Sequence, residues 1–414
     1  MAEPCVGLIG SLDTKGAEYV FVKNQLAALG CKTIVLDYGI LGDPSFEPDF
    51  SHHDLAAKAG SSIQALRGLH ERSIAMEIIA SGCRLIVKQL HEERRIHGVM
   101  VLGGSNAAYI MSTLADVLDI GVPKVLVSTS AAGDTRPYVD GKDITLINPI
   151  VDVGGLNQIS RLVFANAAAA MAGMVAQVVR RNEPKYSDHL SPPQVAVTMS
   201  GLTTQCGTLL REHLEDFGFE VLVFHANGAG GAAMEAFAGA NRLAGVADVT
   251  TTELADELVG GFRSAGPTRL TTAGAKGIPE VVSLGGLDVV NFGPPESVPE
   301  RFSGRLLHSH NPSVTLMRTN ENESRELGRR IAARLNAARG PVSVIIPEGG
   351  LSQISVRGGV FDNQEADTSL FEELTAALSP SIPVSRLTVD INHPSFAAAV
   401  AKELRQLLAL PHRA

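Results

Sequence analysis

Cys5-Val-Gly-Leu-Ile-Gly-Ser-Leu-Asp-Thr-Lys-Gly16 is an apolar run followed by a tight polar loop. An amphipathic helical pattern follows and ends at Gly30, and a second apolar run, Thr33 to Leu36, closes on Asp37. Apolar runs bounded by glycine read as strands, and the 3.6-residue spacing between them reads as a helix. The stretch is therefore a strand–loop–helix–strand unit. A similar unit returns at Gln194–Met199, Ser200–Gly207, a helix to Gly218, and Phe219–Phe224. The chain starts one kind of fold twice.

The chain has 414 residues, too many for one ordinary α/β core, and two domains are expected. Hydrophobic residues make up 45% and charged residues 19%, which is a well-buried globular composition. The formal net charge of −9 argues against nucleic acid as a partner. Cys5, Cys31, Cys83 and Cys206 lie far apart, so neither a disulfide framework nor a zinc knuckle is predicted. No signal peptide is read at the N-terminus, and the apolar stretch from Ala165 to Val179 is short for a bilayer. The expectation is a cytoplasmic protein with no membrane partner.

Further alternation fills out both halves. Gly98-Val-Met-Val-Leu102 is an unbroken apolar run, hence a buried parallel strand, and it ends in Gly103-Gly104-Ser105-Asn106. Val122–Val127 ends in Ser128-Thr129-Ser130. The second half carries strands near 194–199, 219–224, 245–249, 280–283, 287–291 and 342–346, with a last one at Val384–Val389. The fold class that follows is α/β, with two Rossmann-like doubly wound domains and mainly parallel sheets. The domains span 1–181 and 194–414, joined by a polar, proline-rich linker at 182–193.

In an open parallel sheet the C-terminal strand ends gather in one crevice, where ligands bind. Gly10, Ser11, Thr14, Gly103, Gly104, Ser105, Asn106, Ser128 and Thr129 belong to three such ends, with Lys15 as a point charge. These residue types suit a phosphate cradle. They equally suit ordinary turns and helix caps, and no Walker A motif occurs.

The second half offers other candidates. Gly228-Ala-Gly-Gly-Ala-Ala233 fits a dinucleotide loop, with Asp248 twenty residues beyond Gly228. With Asn227 and Gly230 it can also hold an anion at a helix N-terminus. Thr250 and Glu253 form a capping box, and Thr251 beside them can line a polar site. His308-Ser-His310 on an extended segment points both rings to one side, a metal-binding arrangement if Asp288 or Glu253 adds a carboxylate. Asn291 and Arg318 sit at strand exits as substrate contacts, and His225 opens the glycine loop.

With these residues laid out, the chain resembles the family of the ATP-binding module of a plant tobamovirus-resistance protein and its microbial relatives. The likeness rests on Gly10–Gly16, Gly103–Ser105, Val223–Ala226 with Gly228 to Gly231, and Asp248 to Glu257. It continues through Gly266–Arg269, Asp288–Gly293, His310-Asn-Pro and Thr315–Thr319. The resemblance implies ATP binding by the N-terminal domain.

Two functional expectations follow. The first is an ATP-binding enzyme for a small anionic metabolite, with Lys15 and the glycine loops on phosphate and Asp13 assisting Mg²⁺. Its acid–base or metal chemistry would come from His225, Glu253, Asp288, His308 and His310. The second is a nucleotide-responsive binding module without turnover. Base rates favour a homo-oligomer in either case.

Overall fold

The structure is a computed structural model and describes residues 3–139, 141–181 and 192–409. It divides into two compact units, Met1–His189 and Leu190–Ala414. All but residues 192 and 193 of the expected linker lie outside the described residues.

The first unit runs β1 (Cys5–Gly10), α1 (Leu12–Ala28), β2 (Lys32–Asp37), α2 (His52–Lys58), α3 (Ile63–Arg67) and α4 (Arg72–Glu92). It continues through β3 (Gly98–Gly103), α5 (Ser105–Ala115), β4 (Lys124–Ser128), α6 (Arg136–Val139), β5 (Thr145–Ile147) and α7 (Gln158–Arg181). Its five strands are ordered β2-β1-β3-β4-β5, and every neighbouring pair is parallel. The order reverses between β1 and β3, which makes that gap the topological switch point.

Successive side chains of the central strands go to opposite faces. Ile9, Val99 and Val101 pack with Leu55, Ile79, Cys83 and Met111 under α2, α4 and α5. Val6, Leu8, Met100 and Leu102 pack with Tyr19, Val22, Phe164 and Met171 under α1 and α7. Both faces are therefore covered, which is why these strands read as continuous apolar runs. Helix α7 is long and apolar enough, by length and composition alone, to cross a membrane. Its Phe164, Ala168, Met171 and Val175 lie in this core.

The second unit runs β6 (Gln194–Met199), α8 (Thr204–Asp216), β7 (Glu220–His225), α9 (Ala229–Gly239), β8 (Gly245–Thr250), α10 (Glu253–Val259), α11 (Thr272–Lys276) and β9 (Glu280–Gly285). Next come β10 (Val289–Phe292), β11 (Leu307–Asn311), β12 (Val314–Arg318), α12 (Glu321–Asn336), β13 (Val342–Pro347), α13 (Gln364–Ala377), β14 (Val384–Leu387) and α14 (Pro394–Leu408). Six strands form a parallel sheet ordered β14-β13-β9-β8-β6-β7. Its switch point lies between β6 and β8.

The run expected as a strand at 287–291 does not join that sheet. It is β10, paired antiparallel with β12 in a separate sheet ordered β10-β12-β11. A glycine pair explains the departure. Gly286 adopts φ +73°, a left-handed conformation that turns the chain away directly after β9. Asp288, Asn291, His308, His310 and Arg318 thus belong to an antiparallel insertion or its edges, from which Asn291 and His310 still reach a small cavity beside the ends of β6 and β8.

Candidate functional site

The first unit holds a cleft of about 1110 Å³ at its switch point. Ser11, Asp13, Thr14 and Lys15 from the start of α1 line it, with Gly104, Ser105 and Asn106 from the start of α5. Both helices begin without a side-chain cap. The hydroxyl of Ser11, the N-cap of α1, shares a hydrogen bond with Thr14 Oγ1 at 3.0 Å, and Gly104, the N-cap of α5, has no side chain to give. The first N–H groups of a helix lack intrahelical acceptors and carry partial positive charge. Two such ends beside one cleft make it a place for an anion.

Local packing explains how the ends are brought together. Tyr19 is fully buried, and its hydroxyl donates to Ile9 O at 2.5 Å while accepting from Leu102 N at 2.8 Å. It thereby ties β1 to β3 where their ladder ends. Gly10 is required there, because a Cβ would overlap the Tyr19 ring. Asp37, at the end of β2, accepts from Leu12 N and Gly39 N at 2.9 Å each, and so fixes the first turn of α1 against the following loop. Burial pushes the Asp37 carboxyl up, against the pull of those two N–H groups. His52 Nδ1 stands 3.1 Å from its other oxygen.

Asp13 and Lys15 differ in how free they are. Asp13 Oδ2 accepts from Leu41 N at 3.1 Å and Gly42 N at 3.0 Å, whereas its buried Oδ1 has no hydrogen-bond partner. Lys15 leaves helical geometry and donates Nζ to Val153 O. The remaining predicted residues stand behind the wall. A Cβ added at Gly103 would press on Ala107 and Lys15. Ser128 is buried, donates to Gly104 O at 3.2 Å and accepts from Ser130 N at 3.1 Å. Thr129 Oγ1 comes within 4.0 Å of the Cβ position of Gly104. The three strand ends therefore meet at one edge.

The second unit is arranged differently. Its α9 also starts at a glycine without a side-chain cap, Gly228, at φ +94°. Here the N–H groups are taken. Glu253 Oε1 accepts from Gly228 N at 2.7 Å and Gly231 N at 3.1 Å, and Arg269 Nε donates to Glu253 Oε2 at 2.6 Å. Arg269, fully buried, also forks onto Asp248 and lies 3.6 Å from Glu235. The expected dinucleotide loop is thus filled by the chain's own carboxylate, and Asp248 is held by an arginine instead of facing a ribose. Burial raises the Glu253 pKa, with Arg269 opposing it. Asn227 Oδ1 accepts from Gly230 N at 3.1 Å, which completes the closed loop.

Other expected contacts are also committed internally. Asp288 is fully buried and accepts from Ser352 Oγ at 2.7 Å. Thr251 donates to Ser283 O at 3.0 Å, and Asn291 Nδ2 donates to Asp256 at 2.8 Å. Arg318 pairs with Asp367 at 2.6 Å and with the carbonyls of the segment before α13. His308 packs its ring 6.3 Å from that of Phe361. A register irregularity between Ser309 and Asn311 breaks the alternation expected to align it with His310. Among the described residues, no group of three His, Cys, Asp or Glu side chains could hold a metal ion. His225 stays exposed at the end of β7.

Two family models match the sequence. Residues 4–180 match the N-terminal domain, and residues 192–408 the C-terminal domain, of the uncharacterised protein family UPF0261. A UPF0261 protein of Clostridium tetani is 43% identical over 402 residues, covering 97% of this chain and 98% of that protein. The chain belongs to this family. A UPF0261 protein of Mesorhizobium japonicum is 39% identical over 95% of this chain and 97% of its own length. The tomato (Solanum lycopersicum) ToMV resistance protein Tm-1 is 35% identical, covering 98% of this chain but 56% of the tomato protein.

Sequence reasoning missed one wall of this family member's cleft. Tyr38, Ile40 and Leu41 after β2, Leu66, Leu69, Arg72, Met76 and Glu77 around α3 and α4, and Tyr109 and Asp152 all line it. Arg67 holds that wall in place by donating to Ile40 O at 2.6 Å and Gly42 O at 2.8 Å. No local pattern marks these residues, because only the packing of α4 beside α5 brings them to the switch point.

Proposed function

We propose that this chain is an ATP-binding protein whose nucleotide sits in the first unit's cleft and which acts on a small anionic metabolite. The observation that carries the reading is one large cleft beside two helix starts: that of α5, which has no side-chain cap, and that of α1, where Asp37 takes the Leu12 N–H and the N-cap Ser11 caps none. Phosphates go to the starts of α1 and α5, with Lys15 and Arg72 supplying charge. The apolar wall of Ile40, Leu66, Leu69 and Met76 and the ring of Tyr109 suit a base. Mg²⁺ fits the buried, unpartnered Asp13 Oδ1, since this ion is held by one or two carboxylates plus substrate phosphates. When bound it supplies charge neutralisation on the phosphates.

Calorimetric titration of the full chain with ATP, ADP and adenosine tests the reading. ATP and ADP should bind and adenosine should bind far more weakly, with Mg²⁺ dependence lost in Asp13→Asn. Equal affinity for all three would refute phosphate recognition.

The second reading, a nucleotide-responsive module without turnover, is favoured by a specific observation. Glu253 and Asp288, the expected acid–base groups, are fully buried and bonded within the protein. ATP consumption measured with and without candidate metabolites separates the two.

A further inference from the structure

Among the described residues of the second unit, Arg263 is the partly buried arginine whose guanidinium pairs with no carboxylate. Arg269, Arg305, Arg318 and Arg334 each reach a carboxylate: Asp248 and Glu253, Glu323, Asp367, and Glu257. The half-buried Arg263 guanidinium makes no hydrogen bond or ion pair among the described residues, and meets only the ring of the adjacent Phe262, at 5.4 Å. Asp256 feels the Arg263 charge without pairing with it. Its oxygens are already used by Asn291 N, Asn291 Nδ2 and the backbone N–H of Arg263 itself.

Arg263 lines a small cavity at the β6/β8 switch point, together with Ser200, Gly201, Thr252, Asn291 and His310. This is where an open parallel sheet takes its ligand. Although His225 is exposed as a whole, partial desolvation of its ring lowers its pKa and the nearby Arg263 charge adds to this. The cavity is small, about 30 Å³, so it can take no more than the headgroup of a ligand, and the rest of the ligand stays outside.

We infer that the second unit binds a small carboxylate at this cavity, its headgroup held by the fork of Arg263 beside His310. Arginine suits a planar, two-oxygen partner. The inference gives the anionic substrate of the proposed function a chemical class, and rests on that reading only for its role in a reaction.

The test titrates the full chain with sodium succinate and, separately, inorganic phosphate, following the histidine ring signals by proton NMR. The signals are assigned with His225→Gln and His310→Gln. Succinate should shift both rings saturably. Arg263→Gln should weaken the effect at least tenfold, and Arg263→Lys, which keeps the charge but not the fork, should fall between. An unchanged response in Arg263→Gln, or tighter binding of phosphate than of succinate, would overturn the carboxylate site. ATP is titrated into the same samples. Loss of ATP binding in the wild-type chain with the succinate response intact would sink the nucleotide reading alone.

Discussion

Glu253 Oε1 accepts the backbone N–H of Gly228 at 2.7 Å, so the helix start that most resembles a dinucleotide loop already holds an anion. The contrast with Gly104 is physical. Both glycines precede a helix without a side-chain cap, but the first N–H groups of α5 face an open cleft. One glycine-rich loop is structural and the other is available to a ligand, although their compositions are alike.

Removing the internal anion should be costly. Glu253→Ala leaves Arg269 with part of its charge uncompensated and two buried N–H groups without an acceptor. Breaking one partner of a buried ion pair costs about 3–5 kcal/mol. Urea unfolding should show a loss of that order. A loss below about 1 kcal/mol would mean that Glu253 is a minor support.

The pattern of the sequence carried the fold further than it carried the site. Apolar runs such as Gly98–Leu102 and Val342–Ile346 are read correctly because burial on both faces leaves few polar choices. The starts of α1 and α5 are legible for the same reason: glycine, serine and threonine must follow such strands. Asp248 and Glu253 are not legible in this way. A carboxylate at a strand end looks identical whether it meets a ribose or Arg269, and the arginine comes from a loop sixteen residues past Glu253. The extended segment considered for His308 and His310 is strand β11 in the structure, but local spacing carries no sign of the irregularity at Ser309–Asn311.

Tyr19 should matter for stability more than for binding. Tyr19→Phe removes the hydroxyl that accepts from Leu102 N and donates to Ile9 O. Unpaired buried backbone groups cost about 1–3 kcal/mol. Thermal unfolding should register that loss, and Gly10→Ala, which overlaps the same ring, should cost a similar about 1–3 kcal/mol by overpacking.

Glu280 should make stability fall as pH rises. Burial, with Asp248 and Glu235 adding to it, pushes its pKa from 4.5 up to about 8. Between those values the native state keeps a proton that the unfolded state has lost. Stability is therefore greatest on the acid side of this window and declines through it, levelling off above about pH 8. Glu280→Gln should flatten the decline between pH 5 and 8, as read from urea midpoints. An unaltered slope would show that other groups set it.

Lys15 and Arg72 should act on the ligand and not on the fold. Lys15 lines the cleft through a side chain bonded to Val153 O, and Arg72 lines it from the first residue of α4. Lys15→Ala and Arg72→Ala should each weaken ATP binding about tenfold, near 1.4 kcal/mol, with melting temperatures little changed. Full ATP affinity in the double variant would remove both from the site.

Amide hydrogen exchange, followed residue by residue with and without ATP, tests the central claim most directly. ATP should slow exchange at Asp13, Ser105 and Asn106, the open helix starts of the first unit, and leave Gly228 and Gly231 unchanged. Protection at Gly228 and Gly231 with none at Ser105 and Asn106 would contradict it.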